Sequence, residues 1–213
     1  ELNDSLLTKV LDNGTVSTSP DFVLTGTCTT SFQTSGANRS NNIVVGASRL
    51  NNLIVMPGQT VSVSDTILPR TRANGYKEAG LGGGVCQISS TVYNAVKNAG
   101  LTVVQRNPHS MPVSYLPKGL DAAIAAGSKD LKFRNDYTTP VVLYTDTSNK
   151  HLTVNVLVWN QELAGRSFKL WAKQTGALSA DTSFTTYQNG KEISTQFVGT
   201  SRYNPYREAV NDD

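Results

Sequence analysis

The sequence predicts an α+β fold, mainly antiparallel β, in which a central helix starts at a glycine-rich motif carrying a cysteine and a small all-β appendage follows at the C-terminus. Three observations predict it. Residues 85–99 hold the clearest helical periodicity, strand-like runs succeed one another after that helix, and Asn189-Gly190 joins two such runs near the C-terminus. Composition agrees: 16% of the 213 residues are charged, while Thr, Ser, Asn, Gly and Val are plentiful, a balance that suits strands and turns.

In chain order, residues 1–26 hold one short apolar run before the turn signals Asn13-Gly14 and Ser19-Pro20, and they read as a linker or lead-in hairpin without chemistry. From Ser40, taken as an N-cap, Ile43, Ala47 and Leu50 fall at helical spacing, and Leu53 to Met56 reads as a strand ending at Pro57-Gly58. Val61-Ser62-Val63 alternates like a strand, after which the polar loop Pro69 to Glu78 runs into Gly82, Gly83 and Gly84. In the helix that follows, Val85, Ile88, Val92, Ala95, Val96 and Ala99 fall within one apolar stripe, and Gly100 supplies the stop. On the same wheel Cys86, Ser90, Tyr93 and Lys97 share an adjacent face, read as the exposed or cleft side.

Strand-like runs then occur at Thr102 to Arg106, Val113 to Leu116, Asp121 to Ala125, Leu131 to Arg134, Val141 to Thr145 and Leu152 to Trp159. The appendage holds Phe168 to Ala172 and a hairpin in which Asn189-Gly190 joins Thr182 to Gln188 with Lys191 to Val198. The domain reading is therefore a lead-in over 1–26, a main domain over 27–160 and a β extension over 161–213.

Charge names no partner. The 19 basic and 16 acidic residues leave a net +3 with neither sign gathered into a run, which argues against nucleic acid and against a membrane surface. No stretch approaches the roughly 18 apolar residues of a membrane helix, and Glu1 does not open a signal peptide, so membrane contact is expected only through a segment absent from this chain. Two cysteines form no disulfide framework, and a monomer is expected.

The chemistry points to Cys86. Three successive glycines let a substrate approach the main chain with no Cβ in the way. A cysteine in the first turn of a helix sits among unpaired N–H groups at the positive end of the macrodipole, which stabilise thiolate over thiol and could also hold an oxyanion. A thiolate nucleophile usually works with an imidazole, and the chain offers two, His109 and His151. His109 lies in the turn-rich RNPHSMP segment, where a loop can aim it at a helix start, whereas His151 opens a regular strand and reads as a surface turn residue. Asp121 is the nearest downstream carboxylate able to orient the imidazole, with Asp130, Asn107 or a backbone carbonyl as alternatives.

Blander readings compete. A lone cysteine is commonly an inert core residue, and Cys86 could pair with Cys28, although a disulfide would waste a thiol at a site built to activate it. Cys28 itself reads as packing. Two cysteines and two histidines at these spacings match no closed zinc pattern, and no Lys-Ser/Thr follows the glycines as a phosphate loop requires, so neither a metal nor a cofactor is expected.

Over about residues 28 to 160 the chain resembles the VanW-like proteins of Gram-positive cell envelopes. The resemblance rests on ordered pieces: Asn38-Arg39 with Asn42-Ile43, Pro57-Gly58, LPRT at 68–71, Gly75-Tyr76-Lys77-Glu78-Ala79, GGGVCQISSTVYNA at 82–95, Ala99-Gly100-Leu101, His109-Ser110 with Pro112-Val113, Tyr115, Pro117, Gly119, Asp121-Ala122, and Asp130-Leu131-Lys132-Phe133. The C-terminal YQNGKEISTQFVGTSRYNP is similar to a G5-type β module. Two departures stand out. Ala79-Gly80-Leu81 joins the GYKEA-like motif directly to the glycines, where the pattern carries about ten further residues, and Ala123 replaces a Thr.

The resemblance implies an extracytoplasmic location in the cell envelope and, for some members, L,D-transpeptidase chemistry on peptidoglycan with the motif cysteine as nucleophile. Cys86 would attack the carbonyl joining the third stem residue to a terminal D-alanine, and an amine of a neighbouring stem would resolve the thioester into a 3-3 cross-link, with His109 moving the protons and Asp121 orienting it. The partners are then peptidoglycan stem peptides. Candidate substrate or oxyanion groups are Gly83, Gly84, Val85 and Gln87 at the helix start, Ser89, Ser90 and Tyr93 along the helix, Ser110 and Tyr115 beyond it, and Arg39 before it. Rival readings are a papain-like amidase or endopeptidase on the same polymer, a non-catalytic cell-wall binding module, and an accessory to glycopeptide resistance.

Overall fold

The structure is a computed structural model that describes residues 21–67, 69–78 and 83–206. The lead-in turns at Asn13-Gly14 and Ser19-Pro20, the first glycine of the run, Gly82, and the direct join at Ala79-Gly80-Leu81 lie outside the described residues. What is described is mixed α and β, with three antiparallel sheets arranged around one long helix.

That helix spans Val85–Asn98, and its apolar stripe is fully buried at Val85, Ile88, Val92, Ala95 and Val96. It is the third α-helix among the described residues and is called α3. It lies on a four-stranded sheet in which β1 (Phe22–Ser31) pairs with β7 (His151–Trp159), β7 with β6 (Val141–Asp146), and β6 with β2 (Leu53–Val55). Leu152, Val154, Val156 and Val158 alternate along β7 and are buried, as a half-covered strand requires. Helix and sheet meet most closely at Gly26, where a Cβ would stand 2.1 Å from the Ala95 carbonyl oxygen and 2.6 Å from the Ala99 nitrogen. Only glycine permits β1 to pass there.

A second sheet orders β3 (Thr60–Ser62), β5 (Lys132–Arg134) and β4 (Thr102–Gln105). The third orders β10 (Lys191–Arg202), β9 (Ser179–Gln188) and β8 (Arg166–Gly176), with Asn189 and Gly190 at positive φ between β9 and β10. This third sheet packs on α3: Lys97 Nζ sits 3.7 Å over the Phe184 ring, and the Leu170 amide donates to Asn98 Oδ1 at 2.8 Å. Among the described residues no helix is long and apolar enough to cross a membrane.

Several local expectations change. β1 begins at Phe22, inside the segment read as a lead-in, because its residues find a full partner in β7 from Trp159 onward. The first helix, α1, spans Ala37–Ser48 with Gly36 at its N-cap, so Ser40 lies inside the first turn and its hydroxyl turns back to the Ser35 carbonyl. Asparagines on α1 instead pin the polar loop: Asn42 donates to the Lys77 carbonyl and accepts from the Lys77 amide, and Asn38 and Asn41 reach the Glu78 and Gly75 carbonyls. Val63 opens a short helix, α2 (Val63–Thr66), rather than extending β3, since Ser62 Oγ caps it by accepting from the Asp65 amide at 3.0 Å.

Val113 to Leu116 and Asp121 to Ala125 are not strands. Side chains of α3 satisfy the second segment's backbone: the Leu120 carbonyl accepts from Asn94 at 2.7 Å, and the Ala122 amide donates to Ser90 Oγ at 2.9 Å. Asp121, Ala122, Ala123 and Ile124 are all buried there, which reflects packing on a helix, not a ladder. The cleft face assigned to Cys86, Ser90, Tyr93 and Lys97 is likewise covered, by this segment, by Arg106 and by Phe184.

Candidate functional site

The site begins with how α3 starts. Gly84 takes φ +96° as N-cap, and a Cβ there would lie 2.7 Å from Ile43 Cγ1 and 3.0 Å from the Arg39 carbonyl oxygen. The last glycine of the run thus lets the helix turn sharply against α1. Cys86 follows in the first turn, where the Val85 and Cys86 amides have no acceptor inside the helix. The Gln87 amide does not join them, because it donates to the Gly84 carbonyl at 3.1 Å. The oxyanion-binding stretch expected over Val85 to Gln87 therefore shrinks to its first two amides.

Opposite the thiol, the segments 105–109 and 119–124 bring three ionisable groups together. His109 Nδ1 stands 2.7 Å from Asp121 Oδ2, which also accepts from the His109 amide at 2.7 Å. The carboxylate fixes both ring and backbone and occupies Nδ1, so the interaction with Cys86 that lowers the thiol and raises the imidazole falls to Nε2. The neutral thiol also has the Ile124 carbonyl as acceptor at 3.3 Å. Among the alternatives to Asp121, Asp130 is engaged elsewhere, accepting from Ser62 Oγ and the Ser64 amide.

Asp121 is completely buried and carries more partners. Arg106 donates to its backbone carbonyl at 2.7 Å and to Oδ1 at 3.3 Å, and the Tyr203 phenol donates to the same Oδ1. The Gly119 amide in turn donates to the Tyr203 oxygen at 2.7 Å. Burial alone would raise the Asp121 pKa, but hydrogen bonds from His109 and Tyr203 and the charge of Arg106 outweigh it and hold the carboxylate ionised.

The electrostatics separate the two cysteines. Burial pushes Cys28 up to about 12, and nothing opposes it. Burial raises Cys86 too, yet hydrogen bonding with His109 and the Ile124 backbone, together with the charges of His109 and Arg70, brings it below the ordinary thiol value. For His109, burial lowers the pKa, but Asp121 and Cys86 raise it to about 9. These directions make the thiolate–imidazolium form more accessible than it would be for either group alone. Both cysteines are free, with no disulfide between them.

The remaining candidates divide. Tyr115 reaches the site through Ser90, its hydroxyl 3.5 Å from Ser90 Oγ, and burial first of all drives its pKa well above the usual phenol range. Ser90 is a structural tie, donating to the Cys86 and Ala122 carbonyls. Gln87 and Arg39 face away: Gln87 Nε2 donates to Thr30 Oγ1 and the Ser31 carbonyl, and its oxygen accepts from Arg39 at 2.8 Å. Ser89 is buried with its hydroxyl unpartnered, and Tyr93 is buried beneath the Arg106 guanidinium at 5.4 Å. Gly83 sits in the turn before the helix, and Ser110 is exposed, its carbonyl held by the Asn204 amide. His151 hydrogen-bonds to the Asn149 carbonyl at the start of β7. Among the described residues no group of three or more His, Cys, Asp or Glu could hold a metal ion.

Sequence reasoning missed Arg106, Tyr203 and Arg70. Arg106 was placed only as the end of a strand, and Arg70 only as part of the LPRT motif. Tyr203 carries no local signal, since it enters from the chain beyond β10, 82 residues after Asp121.

A family model described as VanW like protein matches residues 38–157, more than half of the 213-residue chain. The uncharacterized protein YoaR of Bacillus subtilis is 41% identical over 128 residues, which cover 55% of this chain and 42% of that protein. The vancomycin B-type resistance protein VanW of Enterococcus faecalis is 36% identical over 114 residues, covering 46% of this chain and 42% of that protein. The chain thus spans under half the length of these curated relatives. No solved structure matches it.

Proposed function

The chain belongs to the VanW-like protein family, and we propose that it is a cysteine acyltransferase, an L,D-transpeptidase acting on peptidoglycan stem peptides in the cell envelope. The single observation that carries this reading is the Cys86–His109–Asp121 relay at the start of α3, with Asp121 Oδ2 on His109 Nδ1 at 2.7 Å. Such a relay on a first-turn cysteine performs acyl transfer through a thioester.

In the proposed reaction the Cys86 thiolate attacks the carbonyl carbon between the third stem residue and the terminal D-alanine. The Val85 and Cys86 amides receive the developing oxyanion. The C–N bond breaks as the His109 imidazolium gives its proton to the departing nitrogen, so D-alanine leaves as a neutral amine and a thioester remains. An amine of a second stem then attacks the thioester, loses its proton to the now neutral His109, and the thiolate is regenerated as the new amide forms. From the charged form of the pair, His109 acts first as acid and only then as base. The Enterococcus relative is named for vancomycin B-type resistance, and a link of this chain to glycopeptide resistance belongs to the same proposal.

The test is intact-protein mass spectrometry with a tetrapeptide stem, with and without an acceptor amine. A thioester adduct on the wild type but not on Cys86→Ala, together with a cross-linked product when the acceptor is present, is the expected result. Free tripeptide acid as the sole product, even with acceptor in excess, would replace the transferase by a hydrolase. No adduct on the wild type would leave a binding module.

A further inference from the structure

Next to the thiol a cleft of about 710 Å³ opens between α2, the Pro69-Arg70 segment, the end of β5 and the turn that follows Ile124. Its volume lies within the range of pockets that take a small molecule or a few residues of peptide. Ile124 lines it, and the Ile124 carbonyl accepts the Cys86 thiol at 3.3 Å, so a single residue stands between the cleft and the nucleophile.

Three cationic side chains line it: Arg70, Lys129 and Lys132. None has an ion-pair partner among the described residues, and Lys129 and Lys132 are half-buried. Of the two carboxylates on the same wall, Asp130 is already satisfied by Ser62 Oγ at 2.6 Å and the Ser64 amide at 3.0 Å, and Asp65 is exposed. The three cations outnumber the two carboxylates, so the cleft keeps a net positive charge that an anionic ligand would meet. The Arg70 charge is felt at Cys86, which places this positive field within reach of the reacting atoms.

We propose that this cleft is a carboxylate subsite, which seats a peptide carboxylate against Arg70, Lys129 and Lys132 beside Cys86. The inference deepens the acyl-transfer reading and rests on it for the identity of the peptide, though not for the charge that the cleft selects. Two carboxylates could fill it: the terminal one of the donor stem, on the residue that leaves, or one on the side chain of the third residue, present in donor and acceptor alike.

Cys86→Ala protein, which cannot turn over, allows binding to be read apart from catalysis. Isothermal titration of this variant would compare a tetrapeptide stem with all carboxylates free, the same peptide with every carboxylate converted to amide, and two peptides each retaining one. The free acid should bind at least tenfold more tightly than the full amide. That margin should vanish in Lys129→Gln/Lys132→Gln and shrink in Arg70→Gln, each checked by circular dichroism, and it should fall as salt is raised. The singly ionised peptides tell which carboxylate is read. Equal binding of acid and full amide, no binding of either, or unchanged binding in the cleft variants would overturn the subsite. Loss of thioester formation in wild type with acid-selective binding intact would overturn the transferase alone.

Discussion

The Tyr203 phenol donates to Oδ1 of Asp121 while the other oxygen of that carboxylate holds His109 Nδ1 at 2.7 Å. A residue beyond the last strand of the C-terminal sheet therefore completes the relay, and it lies outside residues 38–157 matched by the family model. Arg106 ties the same carboxylate to that sheet by donating also to Ser201 Oγ at 3.0 Å, and Thr182 on β9 donates to the Gly119 carbonyl at 2.9 Å. The extension acts here as a wall of the site.

Tyr203 is thus a positioning residue, and Tyr203→Phe removes one donor to a buried carboxylate, a bond worth roughly 1.5–3 kcal/mol when charge-assisted. The expected result is a fall in thioester formation of about tenfold. With one donor fewer, Asp121 presents more charge to His109, so the falling alkaline limb of acylation, read as kcat/KM against pH, should move upward. A purely structural role would lower melting temperature and leave that limb in place.

Reactivity against pH follows from the pair. Cys86 ionises below the ordinary thiol value and His109 holds its proton to about 9. Alkylation of Cys86 should therefore set in at lower pH than that of an ordinary thiol, while Cys28, pushed up to about 12, stays silent. Acylation by a stem peptide needs both the thiolate and the imidazolium, so kcat/KM should rise with Cys86 ionisation and fall as pH passes through about 9. In Asp121→Asn the first-named support of the imidazolium is lost, and the falling limb should shift down toward the unperturbed histidine value of about 6.5. A pH profile identical to wild type would show that Asp121 does not set the charge of His109.

Gln87 distinguishes scaffold from site. Its side chain spans Thr30, Ser31 and Arg39, on the side of α3 that faces β1. Gln87→Ala removes three hydrogen bonds, one of them from the Arg39 guanidinium, and should cost roughly 2–4 kcal/mol in denaturant unfolding. Alkylation of Cys86 in the folded variant should keep its wild-type pH profile. A displaced profile would return Gln87 to the chemistry.

What was legible in the sequence had a local cause. Helix α3 announced itself because its apolar residues recur at a period close to 3.6, and the β9–β10 hairpin because Asn189-Gly190 tolerates positive φ. His109 could be chosen because a chain with two histidines leaves few bases to weigh. Val113 to Leu116 and Asp121 to Ala125 misled because their residue types suit a strand, yet neither lies in a sheet, and around Asp121 the side chains of Ser90 and Asn94 take the backbone groups a neighbouring strand would. Polar residues at the helix start read as substrate contacts, yet Gln87, Ser89 and Ser90 sit on a helix covered on nearly every side, where a hydroxyl or amide more often binds backbone than ligand. Tyr203 and Arg106 depend on how the third sheet docks, which no local window records.

Gly84 carries the last prediction, because it joins fold and site in one residue. Its left-handed backbone starts α3, and the space a Cβ would need is taken by Ile43 Cγ1 at 2.7 Å and the Arg39 carbonyl at 3.0 Å. Gly84→Ala adds about 1–2 kcal/mol of backbone strain to a clash that only movement of α1 can relieve. Such movement would shift the Val85 and Cys86 amides away from where an oxyanion forms. Thermal unfolding should therefore fall by several degrees, and thioester formation should fall further than the thiolate fraction, read by iodoacetamide at the same pH. If both losses scale together, the glycine serves stability alone, and the first-turn amides are not the oxyanion donors.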